Sequence, residues 1–411
     1  MQQHKEGNDE PVERSDRQTL LIASRVFGAS GQPWLWRQVV GLREFRKELL
    51  CWERHNPANY LAQDVEVHVL PGDPAPYDGA GRWWYRLRNL AGRNFYAAVG
   101  REKEELLKLL DRLHPDAILC YFGDTAMRLL PVALRKGIPV VAYFHGDFQF
   151  LDNRWYRWSL LRSLSHFSAI IVVTDAERDW MVEHGVAKER IHWIPCGAST
   201  NLFRPRNSTV GGPARFVMVS RLSLEKGCEL SVRAFGMAAK DLSDSELHIY
   251  GDGPMRKPLE ELVAELDVKD RVTFHGYVDE RRLADVLPGY DVFIQHTVGR
   301  EGSPVSVVEA MACGLPVVVT PAGDIVRQVV AEETGLLVAK GDIPAMALAM
   351  RRLACDADLR QTLGRAARER AVNLYDSSAQ TRRLERVLLE TAGGIQVRGD
   401  DSALCEGALG G

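Results

Sequence analysis

Between residues 18 and 390, short apolar runs alternate with longer stretches whose apolar positions recur every three or four residues. The first pattern suits strands buried on both faces and the second amphipathic helices. Their regular alternation is the signature of parallel α/β layers. Strands are expected at 20–23, 65–70, 117–121, 139–144, 169–173 and 191–194, and in a second series at 215–220, 246–250, 271–274, 291–295 and 315–320. Between the two series, residues 203–213 turn polar and rich in Gly, Pro and Asn, which reads as a linker. Residues 358–390 read as helical.

At 411 residues the chain is too long for one ordinary core, so two domains of about 200 residues are the natural division. We expect a polar tail over 1–17, a first domain over 18–204, a second over 214–375 and a Gly-rich tail over 393–411. Two such sheets facing each other leave a cleft at the carboxyl ends of their strands, where open α/β sheets bind ligands.

Composition narrows the function classes. Hydrophobic residues make up 45% of the chain and charged residues 26%, a globular balance, and a net charge of −3 gives no reason to expect a nucleic-acid partner. The seven cysteines are scattered, with no Cys-x-x-Cys pair, so neither a zinc site nor a disulfide framework is expected and a reducing cytosol fits. No apolar run approaches the roughly 18 to 20 residues of a membrane span. The first 17 residues are charged and lack the apolar core of a leader peptide.

The densest chemistry lies in Arg300-Glu301-Gly302-Ser303-Pro304-Val305-Ser306-Val307-Val308-Glu309-Ala310-Met311-Ala312-Cys313-Gly314-Leu315-Pro316. Ser303 suits an N-cap, Pro304 a first helical position, and Gly314 the C-terminal stop of a short buried helix. Glu301 then lies in the loop before the helix and Glu309 on it, roughly 7 to 8 Å further along at about 1.5 Å per residue. Free N–H groups and the positive end of the helix lie between the two carboxylates, an arrangement suited to a sugar hydroxyl, a phosphate and a ribose in a row. A bare pair of glutamates at this spacing is more often a solvated helix face. Val219-Ser220-Arg221-Leu222-Ser223-Leu224-Glu225-Lys226-Gly227 follows the first strand of the second series, where Arg221 and Lys226 would reach into the cleft as phosphate-binding cations.

With the Gly-Ser-Pro between the two glutamates and the Ala-Met-Ala-Cys-Gly-Leu-Pro after them, this stretch resembles the Glu-x7-Glu motif of retaining glycosyltransferases of family 4. The resemblance runs from about 18 to 390 and implies an α/β GT-B fold: two Rossmann-like, doubly wound parallel-sheet domains facing across a cleft, with a C-terminal crossover helix at about 376–391. It implies transfer of a sugar from a nucleotide-sugar donor to an acceptor hydroxyl in polysaccharide, lipopolysaccharide or glycolipid biosynthesis, with the donor as co-substrate and no cofactor.

Carried over residue by residue, the resemblance gives Glu301 the donor-sugar hydroxyls, with Gly302, Ser303, Pro304 and Val305 presenting backbone nearby. Glu309 takes the ribose, and Arg221 and Lys226 of Arg-Leu-x-x-x-Lys-Gly take the diphosphate. In Tyr250-Gly251-Asp252-Gly253-Pro254, Gly251 and Gly253 let backbone approach the nucleotide, and Tyr277 and Val278 meet the base. His145 of Tyr143-Phe144-His145-Gly146-Asp147 faces the donor sugar from the first domain; read unaided, it is as readily a polar residue at a strand end. Thr174 either lines the cleft or caps a helix.

The chain also departs from the family pattern. The Gly-Gly pair of the first loop is broken into Gly28 and Gly31, with Trp34 and Trp36 following, and Ala322-Gly323-Asp324 lacks the glutamate many relatives carry there. No Asp-x-Asp ends a strand, and the two cations with the helix start can neutralise a departing diphosphate, so no catalytic metal is expected.

Aromatic and basic residues mix at 82–88 and 154–158. They suit a packed core with arginine stems over it, a saccharide-stacking surface, or peripheral contact with a membrane that carries a lipid-linked acceptor. The alternative function is a non-catalytic nucleotide-binding or scaffolding relative in a polysaccharide assembly complex.

Overall fold

The computed structural model describes residues 17–28, 33–56, 64–71, 94–206 and 213–394. Residues 1–16 and 395–411 of the expected tails, the middle of the linker, Gly31 and the aromatic segment at 82–88 lie outside the described residues. Seven parallel strands form the first sheet: β1 (Thr19–Ala23), β2 (Arg46–Cys51), β3 (Val65–Val69), β4 (Ala117–Tyr121), β5 (Val140–Tyr143), β6 (Ala169–Val172) and β7 (Ile191–Trp193). Their spatial order is β3-β2-β1-β4-β5-β6-β7. Six more form the second: β8 (Arg215–Val219), β9 (Glu246–Tyr250), β10 (Val272–Gly276), β11 (Val292–Gln295), β12 (Val317–Val319) and β13 (Gly335–Leu337), in the order β10-β9-β8-β11-β12-β13. Each sheet starts in the middle, winds to one edge, then returns to build the other. Each therefore has a switch point, at β1/β4 and at β8/β11, where ligand clefts of such sheets open.

Alternation along β1 shows why these strands read as continuous apolar runs. Leu21 and Ala23 face a core shared with Ile118 and Cys120, while Leu20 and Ile22 face the opposite core with Leu119 and Tyr121. Both faces are covered, so no polar positions interrupt the run. The second sheet is sandwiched in the same way, with Phe216 and Met218 on one face and Val217 and Phe293 on the other.

The expected 358–390 helix is two helices, Ala357–Tyr375 and Ser377–Ala392. They break at Asp376, whose extended backbone (ψ 123°) and side chain, accepting from Ala379 N, start the second. Leu384, Val387 and Leu388 of that second helix join the first sheet's core, so the chain returns to it after the second sheet.

Strands β2 and β13 were not foreseen. In β2, Lys47 and Glu48 are buried because Lys47 pairs with Asp64 at 2.7 Å and Glu48 with His68 at 2.8 Å. Paired charges there leave only a three-residue apolar run to read.

Candidate active site

The second sheet's switch point sets out the site. The loop after β8 carries Arg221 and Lys226, and the loop after neighbouring β11 carries Glu301, so side chains 75 residues apart meet. Lys226 Nζ lies 2.5 Å from Glu301 Oε2, and both side chains are mostly enclosed, at 20% and 14% exposure. The helix Val305–Ala312 starts just beyond.

Its start differs from the expectation. Pro304, extended at φ −69° and ψ 114°, is the N-cap, and Val305 is the first helical residue. Ser303 does not cap: its Oγ donates to Asp324 Oδ2 at 3.0 Å, which draws the side chain off the helix axis. The first-turn amides therefore have no side-chain acceptor at the cap.

Glu309 sits on the buried side of this helix, and burial pushes its carboxyl up to about 7, opposed by the charge of Arg37. Arg221 is not brought to the glutamates. It is 68% exposed and pairs with Glu225, whose carboxyl is held below its ordinary range by the Ser223 hydroxyl and then by Arg221.

Gly251 and Gly253 lie against the backbone of the Arg221 loop. A Cβ on Gly251 would lie 1.9 Å from Ser220 O, and one on Gly253 2.4 Å from Leu222 O. These glycines make room for the backbone of the Arg221 loop. Tyr277 stands 58% exposed at the end of β10, and the half-buried Val278 packs into the second sheet's core.

The first domain closes against this edge through the loop after β5. Gly146 and Gly302 face each other so closely that a Cβ on Gly146 would lie 3.3 Å from both N and Cα of Gly302. His145, one residue earlier, packs between Tyr143 and Trp34 at ring distances of 4.0 and 4.2 Å. Burial pushes its imidazole down to about 3, so the ring is neutral at physiological pH, and its enclosed Nε2 has no hydrogen-bond partner among the described residues.

The loop is fixed from behind by Glu177. Its Oε1 accepts from Gly146 N at 3.0 Å, and its Oε2 accepts from Val173 N at 3.0 Å and Thr174 N at 3.2 Å. Thr174 Oγ1 in turn accepts from Glu177 N, so of the two readings of Thr174 it is the cap that forms.

Several residues that sequence reasoning passed over bind the two domains together. Arg37 of the helix Pro33–Gly41 forms an ion pair with Glu280. Arg327 pairs with Asp175 and lies 4.6 Å over the Trp193 ring. Asp324, in the place of the expected glutamate, receives Ser303, and its N–H donates to Gly302 O at 2.8 Å, holding the Glu301 loop. Burial raises its carboxyl well above the ordinary range, opposed by the Ser303 hydroxyl and Arg327. Arg37 and Arg327 are single charges in otherwise unmarked helices, so only the folded arrangement reveals them.

Away from the cleft, Trp155 and Trp158 are half-buried against Phe95 with Arg154 and Arg162 over their rings, which favours the packed-core reading of that segment. Glu48, Glu66 and His68 place ligand atoms within 4.8 Å of one another, but on the first sheet's outer strands. There the His68 ring already bridges Glu48 and Arg112. No described helix is long and apolar enough to cross a membrane.

Two Rossmann-like sheets closing on a Lys–Glu pair at a helix start define the GT-B class. Family models agree: residues 55–202 match Glycosyltransferase Family 4, and residues 199–370 match Glycosyl transferases group 1. The chain belongs to this glycosyltransferase family.

Among curated relatives it is 33% identical over 221 residues to an exopolysaccharide phosphotransferase of Streptomyces coelicolor, covering 51% of this chain but only 22% of that protein. It is 24% identical over 346 residues to an alpha-D-kanosaminyltransferase of Streptomyces kanamyceticus, covering 78% and 88%. The chain also spans about half (48%) of a peptide N-acetylglucosaminyltransferase subunit from Limosilactobacillus reuteri. In fold it is similar to Anabaena HepE, solved with UDP and glucose, at a TM-score of 0.72 and 18% identity, over 91% of this chain and all of that one.

Proposed function

We propose that the protein is a retaining glycosyltransferase that moves a sugar from a nucleotide-sugar donor to a hydroxyl of a saccharide or lipid-linked acceptor in polysaccharide or glycolipid synthesis. The observation that carries this reading is the enclosed Lys226–Glu301 pair at the start of the Val305–Ala312 helix, directly across from His145 and Gly146. The family membership and the transferase names of the relatives support it.

In this reading Glu301 orients the donor-sugar hydroxyls, and Lys226 leaves it to meet the diphosphate as the donor enters. Arg221, exposed and leaving Glu225 for the donor, adds a second cation, and the helix start takes part of the charge that grows on the leaving group. These groups perform the neutralisation that a metal performs in other transferases, so the reaction is metal-independent. Glu309 accepts from the ribose, Tyr277 and Val278 meet the base, and the neutral His145 offers its unpaired Nε2 to the sugar. Residues 18–204 with the crossover helix form the acceptor side and 214–375 the donor side. Closure excludes the water that would otherwise hydrolyse the donor.

A thermal-shift panel of UDP, GDP, ADP and their sugars tests the donor, since a ligand that binds only the folded state raises its stability. Lys226→Ala should then cut transfer to a glycan or lipid extract by about 100-fold or more. Unchanged product formation by that variant refutes the assignment.

A further inference from the structure

Arg37 is the one charged residue of its helix, and its placement is costly. It belongs to the first domain, yet its guanidinium pairs with Glu280 at the head of the second domain's helix Glu280–Val286, while Nη2 donates to Gly197 O at 3.3 Å. Both members of the ion pair are largely enclosed, at 18% and 21% exposure. Arg37 Nε is enclosed too and has no hydrogen-bond partner among the described residues. Two apolar side chains of similar volume would join the domains more cheaply than this desolvated pair. An arginine held there with a donor unused is better explained by a ligand than by packing.

The surroundings say which ligand. The titratable and charged groups facing Glu309 are Arg37 from the first domain and Cys313 on its own chain segment. Around Arg37 stand Glu280 and Cys196. Burial holds both thiols well above their ordinary range, so they stay neutral and Arg37 is the cation that answers Glu309.

We propose that Arg37 is a donor-positioning residue supplied by the acceptor-side domain. Closure carries its guanidinium to the nucleotide end of the cleft. There it favours the ionised form of Glu309, which accepts from the ribose, and turns its free Nε–H on the oxygen atoms of the ribosyl diphosphate. Glu280 holds the guanidinium in place. The inference rests on the proposed donor site and adds to it a dependence on both domains. The nucleotide is gripped fully only in the closed form, so binding and closure favour each other.

The experiment is calorimetric titration of wild type, Arg37→Lys, Arg37→Ala and Glu280→Gln with UDP, GDP and ADP at about pH 6 and about pH 8.5, values that bracket the Glu309 carboxyl. Circular dichroism confirms that each variant is folded. For the nucleotide that wild type binds, Arg37→Ala should bind about 10- to 100-fold more weakly at the lower pH. It should recover by about threefold or more at the higher pH, because Glu309 without its cation holds a proton until the solution is more basic. Arg37→Lys should keep most of the affinity and the wild-type pH response.

Binding of Arg37→Ala within about twofold of wild type at both pH values overturns the inference. A uniform loss that does not vary with pH also overturns it, since that outcome marks a residue that only joins the domains. In both cases the donor site itself stands. If wild type binds none of the three nucleotides, the proposed function falls and this inference with it.

Discussion

Glu309 offers a test in which stability and binding move in opposite directions. Its carboxyl, buried on the Val305–Ala312 helix, ionises near 7 in the fold against an ordinary 4.5. Below pH 4.5 it is protonated in both states and costs nothing. Between the two values the folded chain keeps a proton that the unfolded chain gives up, so stability falls as pH rises, and above 7 the cost is constant. At about 1.4 kcal/mol per pH unit of difference, the cost is about 1 kcal/mol at pH 5 and about 3 kcal/mol at pH 8. Glu309→Gln keeps the shape and removes the charge. Ligand-free Glu309→Gln should therefore melt above wild type at pH 8 by about 3 to 6 °C, taking about 1 to 2 °C per kcal/mol for a long chain, and by much less at pH 5. Opening of the cleft rehydrates Glu309, so the free energy of opening caps the gain. The same variant should bind the nucleotide about tenfold more weakly, because a neutral amide is a poorer acceptor for ribose hydroxyls than a carboxylate. Scanning fluorimetry at the two pH values, paired with titration of the nucleotide, reads both effects. A melting difference that is flat with pH, or a Glu309→Gln protein less stable than wild type at pH 8, refutes the reasoning.

Two further outcomes follow from the loops around the glutamates. Gly323 has φ +55°, and a Cβ there would lie 2.1 Å from Glu301 O and 2.5 Å from Gly302 O. Gly323→Ala should push the Glu301 loop by on the order of 1 Å and lower the transfer rate about 10- to 100-fold, and a wild-type rate would show that the loop position does not matter. Because burial keeps the His145 ring neutral down to about pH 3, His145 should contribute no limb to the pH–rate profile between about 5 and 8. His145→Gln should then slow transfer by the same factor at both ends of that range. A loss confined to one side of the ordinary histidine range would assign the ring a proton-transfer role instead.

How much of this was legible in the sequence depends on where each residue's partners lie. Lys226 and Glu301 could be read because each sits in a local motif at the end of an apolar run, and the β8/β11 switch point brings two such ends together. Thr174 was likewise visible as a strand-end residue, but two uses stood open for it until its hydroxyl was seen accepting from Glu177 N while the Glu177 carboxylate grips the amides of Gly146, Val173 and Thr174. Ser303 was misread for a related reason. Its local spacing favours a cap, and a residue 21 positions away, Asp324, takes its hydroxyl instead.

The residues that close the cleft were illegible on physical grounds. Arg37, Glu280, Asp175 and Arg327 lie on ordinary helices, and their charges carry no periodic or spacing signal. What sets them apart is enclosure, which arises only when two domains built by separate stretches of chain meet. A charge that is hydrated in the open form and buried in the closed form makes closure expensive unless its partner arrives from the other side at the same moment. In the proposed closure Glu309 is such a charge, and Arg37 of the first domain answers it. The motif around Glu301 and Glu309 therefore describes half of a site, which the second domain displays by itself. In the proposed reading the other half consists of Arg37 and the backbone at Gly146 that the first domain brings, and the arrival of Arg37 offsets part of the cost of enclosing Glu309 around a substrate.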